Sequence, residues 1–493
     1  MTMTPNFCDL LVVGSDLSGI LAATLLAKRG MSVLVLEDDG GFEPNVLTGL
    51  ESRLFKSILG KLMIPDGRLQ IIEKNRVSYQ VVFPRNRLDV SPNPSILFKE
   101  IQREFPELVG FFENLYNEAE GFRKTALELL APSLPIADKK EKKRFVKLAR
   151  ALPYQRLSSL VEKTPVEVAS FIRSQLLFLS QGVLMDPLFF QLCFLLSPEI
   201  FATYSVKGGL TELKKIFYEK IEYFGGAVQR ATDGFDLVIQ KKEVKGVKLP
   251  QCGFVTRCRY LLGNTNIQKI YQMIPNRKIY QMTPKGWLTQ GFRTMQFKKK
   301  ASRLAPVTHR MNLLYVVDSQ VLPTPMKENL LLIQDPSLPL SGSNYLQLNR
   351  QPIPKNMKQE GDTLLSVSYF LPPEKLSMTV PEFEKLHEEI TGLLHRLIPF
   401  AGSSLKRVSP KILPEEDGLF PESSEEYNAF RKGAGACVAY TPSFFFPTLT
   451  SPYDNMLTVG PNLLPWLGTE GKVLSALKAV DLIWGRELKL REG

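Results

Sequence analysis

The sequence predicts an α/β protein built on a parallel β-sheet, with a second, inserted α+β region. Three observations carry this. Residues 9–37 hold a buried strand, a glycine-containing turn, a helix and another buried strand in unbroken succession. A strand-then-helix order returns at 455–485. Between these ends lie helix-rich and strand-rich stretches that do not repeat the pattern, and 493 residues are too many for one hydrophobic core.

Residues 9–13 (DLLVV) are apolar after their first position, as a strand covered on both faces requires. Residues 17–29 follow helical spacing, with Leu21, Leu25 and Leu26 on one side and Gly30 as the stop. Residues 31–36 (MSVLVL) form a second buried strand ending at Glu37. A βαβ unit of this kind closes with a right-handed crossover and makes the two strands parallel. Farther along, 77–90 reads as a hairpin and 93–107 opens a helical region that becomes increasingly apolar toward residue 200. Residues 210–224 predict a helix that leads through Gly225-Gly226 into strands at 227–240 and 254–262. Residues 307–370 are strand-rich, and 381–397 is an amphipathic helix.

The first turn reads Gly14-Ser15-Asp16-Leu17-Ser18-Gly19. A glycine-rich turn between strand and helix lets backbone N–H groups face a pyrophosphate, and the helix N-terminus adds attraction for its charge. Glu37 stands where a carboxylate accepts hydrogen bonds from a ribose diol. Asp38 and Gly41 follow as further candidate contacts. Strand, turn, helix, second strand and terminal acid together predict a Rossmann-like, dinucleotide-binding fold. One position departs from the pattern: Asp16 stands where the middle glycine belongs. Either Asp16 turns away and caps the helix, as aspartate often does, or its carboxylate occupies the anion site and the fold has lost its nucleotide.

Three further segments resemble the FAD-dependent phytoene desaturase and amine oxidase superfamily. Tyr204-Ser-Val-Lys-Gly-Gly-Leu210 is similar to that family's Gly-Gly entry to a helix, and Gly225-Gly226-Ala-Val-Gln-Arg-Ala-Thr232 to the strand that follows it. Lys245-Gly-Val-Lys248 and Arg259-Tyr-Leu-Leu-Gly-Asn-Thr-Asn266 resemble its returning strands. Asn455-Met-Leu-Thr-Val-Gly460 and Leu467-Gly-Thr-Glu-Gly-Lys-Val-Leu-Ser475 resemble its C-terminal flavin motif. The resemblance implies an FAD-binding domain assembled from residues 1–75, 205–270 and 420–493, with 76–204 and 271–419 forming a substrate or lid domain. It also implies FAD with its pyrophosphate over residues 14–19, its ribose on Glu37, its ribityl chain beside the strand that ends at Gly460 and its ring near residues 467–471, which include Gly468, Thr469, Glu470 and Gly471. Two positions depart from the family: Pro461 stands where amine oxidases usually carry an acid, and Gly234 where an apolar residue begins the adenine contact.

Composition narrows the function. Lys and Arg total 62 against 50 Asp and Glu, a formal charge of +12 that favours anionic partners. No basic stripe with interleaved aromatics accompanies it, so nucleic acid is not expected. Five scattered cysteines imply no disulfide framework and a reducing, cytoplasmic setting. No signal peptide or membrane-spanning stretch is expected. The three histidines, His309, His387 and His395, are too far apart for a metal pair and read as structural or exposed. No nucleophile elbow or phosphate-loop lysine supports a hydrolase or nucleotidase. No catalytic acid or base stands out. That does not contradict flavin desaturation, in which the cofactor itself accepts the hydride.

The apolar segment 171–201 reads as buried helices or, on the desaturase resemblance, as the wall of a greasy tunnel or a surface dipping into lipid. Basic runs at 139–144 (with Lys147 and Arg150) and 298–300 suit anionic headgroups or, for the first, a plain solvated helix face. The resemblance therefore implies a desaturase-type oxidoreductase acting on an apolar, isoprenoid or lipid-like substrate, peripheral at a membrane. Its rivals are a non-catalytic lipid-binding protein, as Rab GDP-dissociation inhibitors are on this scaffold, and an amine oxidase.

Overall fold

A computed structural model describes residues 6–37, 47–130, 133–180, 187–231, 235–265, 270, 308–352, 362–409, 435–437 and 448–492, except 51, 151, 153–156, 163, 198–200, 208, 241, 250–254 and 452. The βαβ unit forms as expected: strand β1 (Phe7–Val13), helix α1 (Leu17–Lys28) and strand β2 (Val33–Glu37). β1 and β2 pair in parallel, Leu10 opposite Val33. Both strands lie deep in the protein, which is why their sequences run apolar without alternation. Residues 17–27 of α1 are all buried. The helix packs on the sheet, on the helix Gly209–Tyr223 and on the long terminal helix Gly468–Glu492, so it is apolar nearly all round.

Seven strands make this sheet. Ala227–Arg230 pairs in parallel with β2, and Val255–Gly263 in parallel with β1. The far side of Val255–Gly263 is shared: its start takes Glu243–Lys248 antiparallel, and its end takes Met456–Thr458 in parallel. Asp236–Gln240 completes the antiparallel edge. Five strands from four distant stretches of chain therefore run parallel and bring their carboxyl ends to one edge.

An eight-stranded sheet is built from Tyr79–Val82, Arg87–Val90, 308–318, 329–333, 345–352, 362–371, 406–409 and 435–437. The expected hairpin is present, with Tyr79 opposite Val90. The amphipathic helix Val380–Leu397 packs its apolar side, including Phe383, Ile390 and Leu394, into the core of this sheet. A small sheet joins Leu47–Thr48, Ile72–Lys74 and Thr203–Val206.

The segment 171–201 is interior wherever it is described. Helices Val166–Leu179 and Phe189–Leu195 bury Phe171, Ile172, Phe190 and Phe194 in the largest core. The described part therefore presents no apolar face for dipping into lipid, and the buried-helix reading holds. Among the described residues no helix is long and apolar enough to cross a membrane, and no cluster of His, Cys, Asp or Glu is arranged for a metal. Cys8, Cys193 and Cys258 are buried and free.

Candidate cofactor site

The site is built where β1 ends. Gly14 takes φ +106°, and a Cβ there would lie 2.3 Å from the Asn264 carbonyl oxygen, so glycine is required on both counts. A Cβ on Gly19 would lie 2.1 Å from Asn264 Cγ. Asn264 follows the strand Val255–Gly263 and stitches the turn to it. Its Oδ1 accepts from Gly19 N at 2.8 Å, and its Nδ2 donates to the carbonyls of Gly14 and Asp16 at 3.1 and 2.7 Å. Sequence reading placed Asn264 in a returning strand without giving it this role.

Asp16 is extended (φ −65°, ψ 146°) and caps α1. Its Oδ1 accepts from Ser18 N at 3.0 Å and from Ser18 Oγ at 2.6 Å. Its Oδ2 accepts from Lys472 Nζ at 2.7 Å. The residue is 6% exposed. Burial alone would push its carboxyl up, but the Lys472 charge and hydrogen bond, with the two bonds from Ser18, outweigh burial and hold it below the usual carboxylate range. The helix-capping alternative is the one seen here. Asp16 does cap the helix, and in capping it takes the Ser18 N–H and hydroxyl that face a phosphate in a glycine turn. Lys472 was missed as a partner. The available signal was chemical: a buried aspartate on this turn requires a cation, and a lysine follows Gly471 directly in the C-terminal motif.

Glu37 ends β2. Its Oε1 accepts from Tyr218 Oη, and its Oε2 lies 3.9 Å from Arg230 Nε. Both partners come from the segment whose sequence resembled the family's Gly-Gly helix and following strand. Asp38 and Gly41 lie outside the described residues, as does Gly234. Ser15 is half-buried in the turn, and Leu17 is buried in the first turn of α1.

The C-terminal motif reaches the same edge. Gly460 (φ +123°) follows the strand Met456–Thr458, and a Cβ there would meet the Thr265 carbonyl oxygen at 3.0 Å. Gly468 opens the terminal helix at φ +53°, and Gly471 packs where a Cβ would be 2.4 Å from the Leu464 carbonyl oxygen. Thr469 is buried and Glu470 half-buried in this first turn. Thr48, Ser180, Gly468, Thr469 and Lys472 help to line a cavity of about 20 Å³, enough for about one water molecule. A separate groove of about 440 Å³ opens between Phe55, Leu59, Ile64, Leu69, Ile72 and Tyr204, with Lys56 and Lys74 also in its lining.

FAD, which the sequence resemblance implies, is accommodated at its ends and opposed in its middle. Glu37 keeps acceptor capacity for a ribose, and the first turn of the terminal helix, with Gly468 and Thr469, lines a cavity together with Gly460. At the phosphate position the turn is already engaged: Ser18 serves Asp16, and Gly19 N serves Asn264. Lys472 offsets the negative charge of Asp16, so a phosphate entering here meets a neutralised pair and not a bare carboxylate.

A family profile described as an NAD(P)-binding Rossmann-like domain matches residues 12–42. No curated protein matches the sequence. Solved structures share the fold over nearly the whole chain. An oxidoreductase from Methanosarcina mazei is 13% identical with a TM-score of 0.57, covering 96% of this chain and all of its own (100%). Wild-type putrescine oxidase bound to putrescine is 13% identical with a TM-score of 0.57, covering 97% and 99%. Cyclohexylamine oxidase from Brevibacterium oxydans is 15% identical with a TM-score of 0.52, covering 98% and 99%. The chain therefore shares its overall fold with these solved structures and carries a Rossmann-like region at residues 12–42.

Proposed function

We propose that this protein is a flavin-dependent oxidoreductase that holds FAD along the carboxyl edge of its parallel sheet and acts on an apolar, lipid-like substrate at an anionic membrane surface. One observation carries the oxidoreductase reading. The turn after β1, Glu37 at the end of β2, Asn264 and the C-terminal glycines come from three separate stretches of chain and converge on one sheet edge, the place where open α/β sheets bind ligands. Likeness of fold to the amine oxidases agrees with this.

Bound FAD would supply the hydride acceptor. Residues 14–19 would lie under its pyrophosphate, and Glu37, oriented by Tyr218, would accept from its ribose. The N-terminus of the terminal helix favours negative charge developing near it. The buried helices Val166–Leu179 and Phe189–Leu195 exclude water from the interior beside Ser180. No side chain is assigned as acid or base. The substrate class is supported by the largely apolar groove, whose lining also holds Lys56, Lys74 and Asp66, and the membrane by the exposed basic face of the helix Lys139–Ala149. One observation favours the non-catalytic lipid-binding alternative: the Asp16 carboxylate on the phosphate side of α1.

The absorption spectrum of the purified protein decides between them. FAD gives bands near about 370 and 450 nm, and Glu37→Ala should weaken its binding by about 1.5–3 kcal/mol. A colourless protein that ignores added FAD would sink the oxidoreductase reading and leave the lipid-binding one.

A further inference from the structure

The Asp16–Lys472 pair joins residues 456 positions apart, and its side chains are only 7% and 14% exposed. A buried ion pair adds little net stability, because desolvation offsets the attraction. Its location is more informative. α1 has its second and third backbone donors, Ser18 N and Gly19 N, in bonds to Asp16 and Asn264. The Ser18 hydroxyl also goes to Asp16. Asp16 Oδ1 thus receives two donors from the helix start while Oδ2 receives an ammonium. Oxygens of one phosphate group would make the same set of contacts. Lys472 also lines the small cavity beside Gly468 and Thr469.

We propose that Asp16 is a resident anion standing in for a dinucleotide phosphate on Ser18 and Lys472. Dinucleotide binding is then an exchange of anions, in which Lys472 leaves the carboxylate and takes the phosphate. The identity of the incoming ligand as FAD rests on the function proposed above; the exchange itself does not. Its consequence is a weak, displaceable affinity for dinucleotides in the natural sequence. Removing the carboxylate while keeping Lys472 takes its resident anion from that ammonium at a helix N-terminus and leaves the place to an incoming anion.

The test uses the full chain and two probes. Thermal unfolding is followed with inorganic pyrophosphate, and FAD binding by fluorescence titration, in the wild type, Asp16→Asn and Asp16→Gly. Each substitution is also combined with Lys472→Met. Asparagine keeps a capping acceptor for Ser18 N and removes the charge, so this variant is informative even if the glycine variant folds poorly. The wild type should be stabilised only weakly by pyrophosphate at roughly 10 mM, whereas Asp16→Asn should be stabilised by it much more. The response should disappear when Lys472→Met is added. FAD should bind Asp16→Asn on the order of tenfold more tightly than the wild type. Asp16 variants no more responsive to pyrophosphate than the wild type would overturn the proposal, as would a response that survives Lys472→Met. If pyrophosphate behaves as expected but no protein binds FAD, the exchange stands and the FAD reading fails. If the wild type binds FAD and Asp16→Asn changes neither readout, the FAD reading stands and the exchange fails.

Discussion

Asp16 is a nearly buried carboxylate, and what keeps it charged there is a lysine from the other end of the chain. Removing that lysine leaves an uncompensated charge in the interior. Lys472→Met should therefore cost about 3–5 kcal/mol of unfolding free energy by denaturant titration. The matching pH dependence has a definite sign. The Asp16 carboxyl is held below its ordinary value of 3.8 in the folded protein, so its contribution is complete above that value. It is lost as pH falls through the folded value. Acid titration of wild type against Asp16→Asn should show a loss below about pH 4 in the wild type only. A difference that instead grew between pH 5 and 8 would contradict this account. At this scale the sequence is informative in one direction. Gly14, Gly19 and Glu37 are readable because their roles are set by local backbone geometry and by strand ends. Asp16 is readable as a problem, but its solution is tertiary, since Lys472 and Asn264 arrive from distant strands and no local spacing points to them.

The elements themselves follow from patterns with short range. The β1–α1–β2 unit, the helix Gly209–Tyr223 and the helix Val380–Leu397 lie within a residue or two of where spacing and glycine stops put them, because capping and burial act over one or two turns. Within the last of these, His387 shows what spacing does not reveal. It is fully buried, its Nε2 2.9 Å from Tyr369 Oη and its Nδ1 3.1 Å from Arg407 Nη1, with Glu384 nearby. Burial lowers its pKa, its hydrogen bond to the Glu384 carboxylate opposes that, and the Arg407 charge adds to the lowering. A histidine held neutral in the fold takes up a proton more readily once unfolded. Stability should therefore decline as pH drops below about 6.5, by up to about 1.4 kcal/mol per unit while the folded ring stays neutral. His387→Asn should flatten that part of the stability profile. An unchanged profile would show that another group sets it. The histidine's structural reading from sequence agrees with these contacts, which lie in the core of the eight-stranded sheet.

Across the whole molecule the seven-stranded sheet is stitched from residues 7–37, 227–263 and 456–458, and this is why its edge can gather a site that no contiguous segment contains. The order of motifs along the chain made that assembly legible. The surplus of basic charge did not say which surface uses it, because charge counts carry no geometry. The structure shows one ordered array. The helix Lys139–Ala149 is capped by Asp138 and seated by buried Phe145 and Ala149, while Lys139, Lys140, Lys143, Arg144 and Lys147 face solvent. Lys478 of the terminal helix reaches Glu141 at 3.3 Å, tying this helix to the terminal one. Such a face should bind vesicles containing phosphatidylserine, with roughly 1 kcal/mol contributed by each lysine near the surface. Reversing Lys140, Lys143 and Lys147 to glutamate removes three attractions without touching Phe145 or Ala149. Vesicle affinity should then fall by roughly 3 kcal/mol or more, over a hundredfold, with unfolding nearly unchanged. Wild-type binding should also weaken steadily with salt, since attraction between exposed charges is screened within about 10 Å at 0.1 M. Flotation that shows no wild-type association at low salt would remove the membrane surface from the proposed function. Association that the triple reversal leaves intact would move it to another face of the protein, away from this helix.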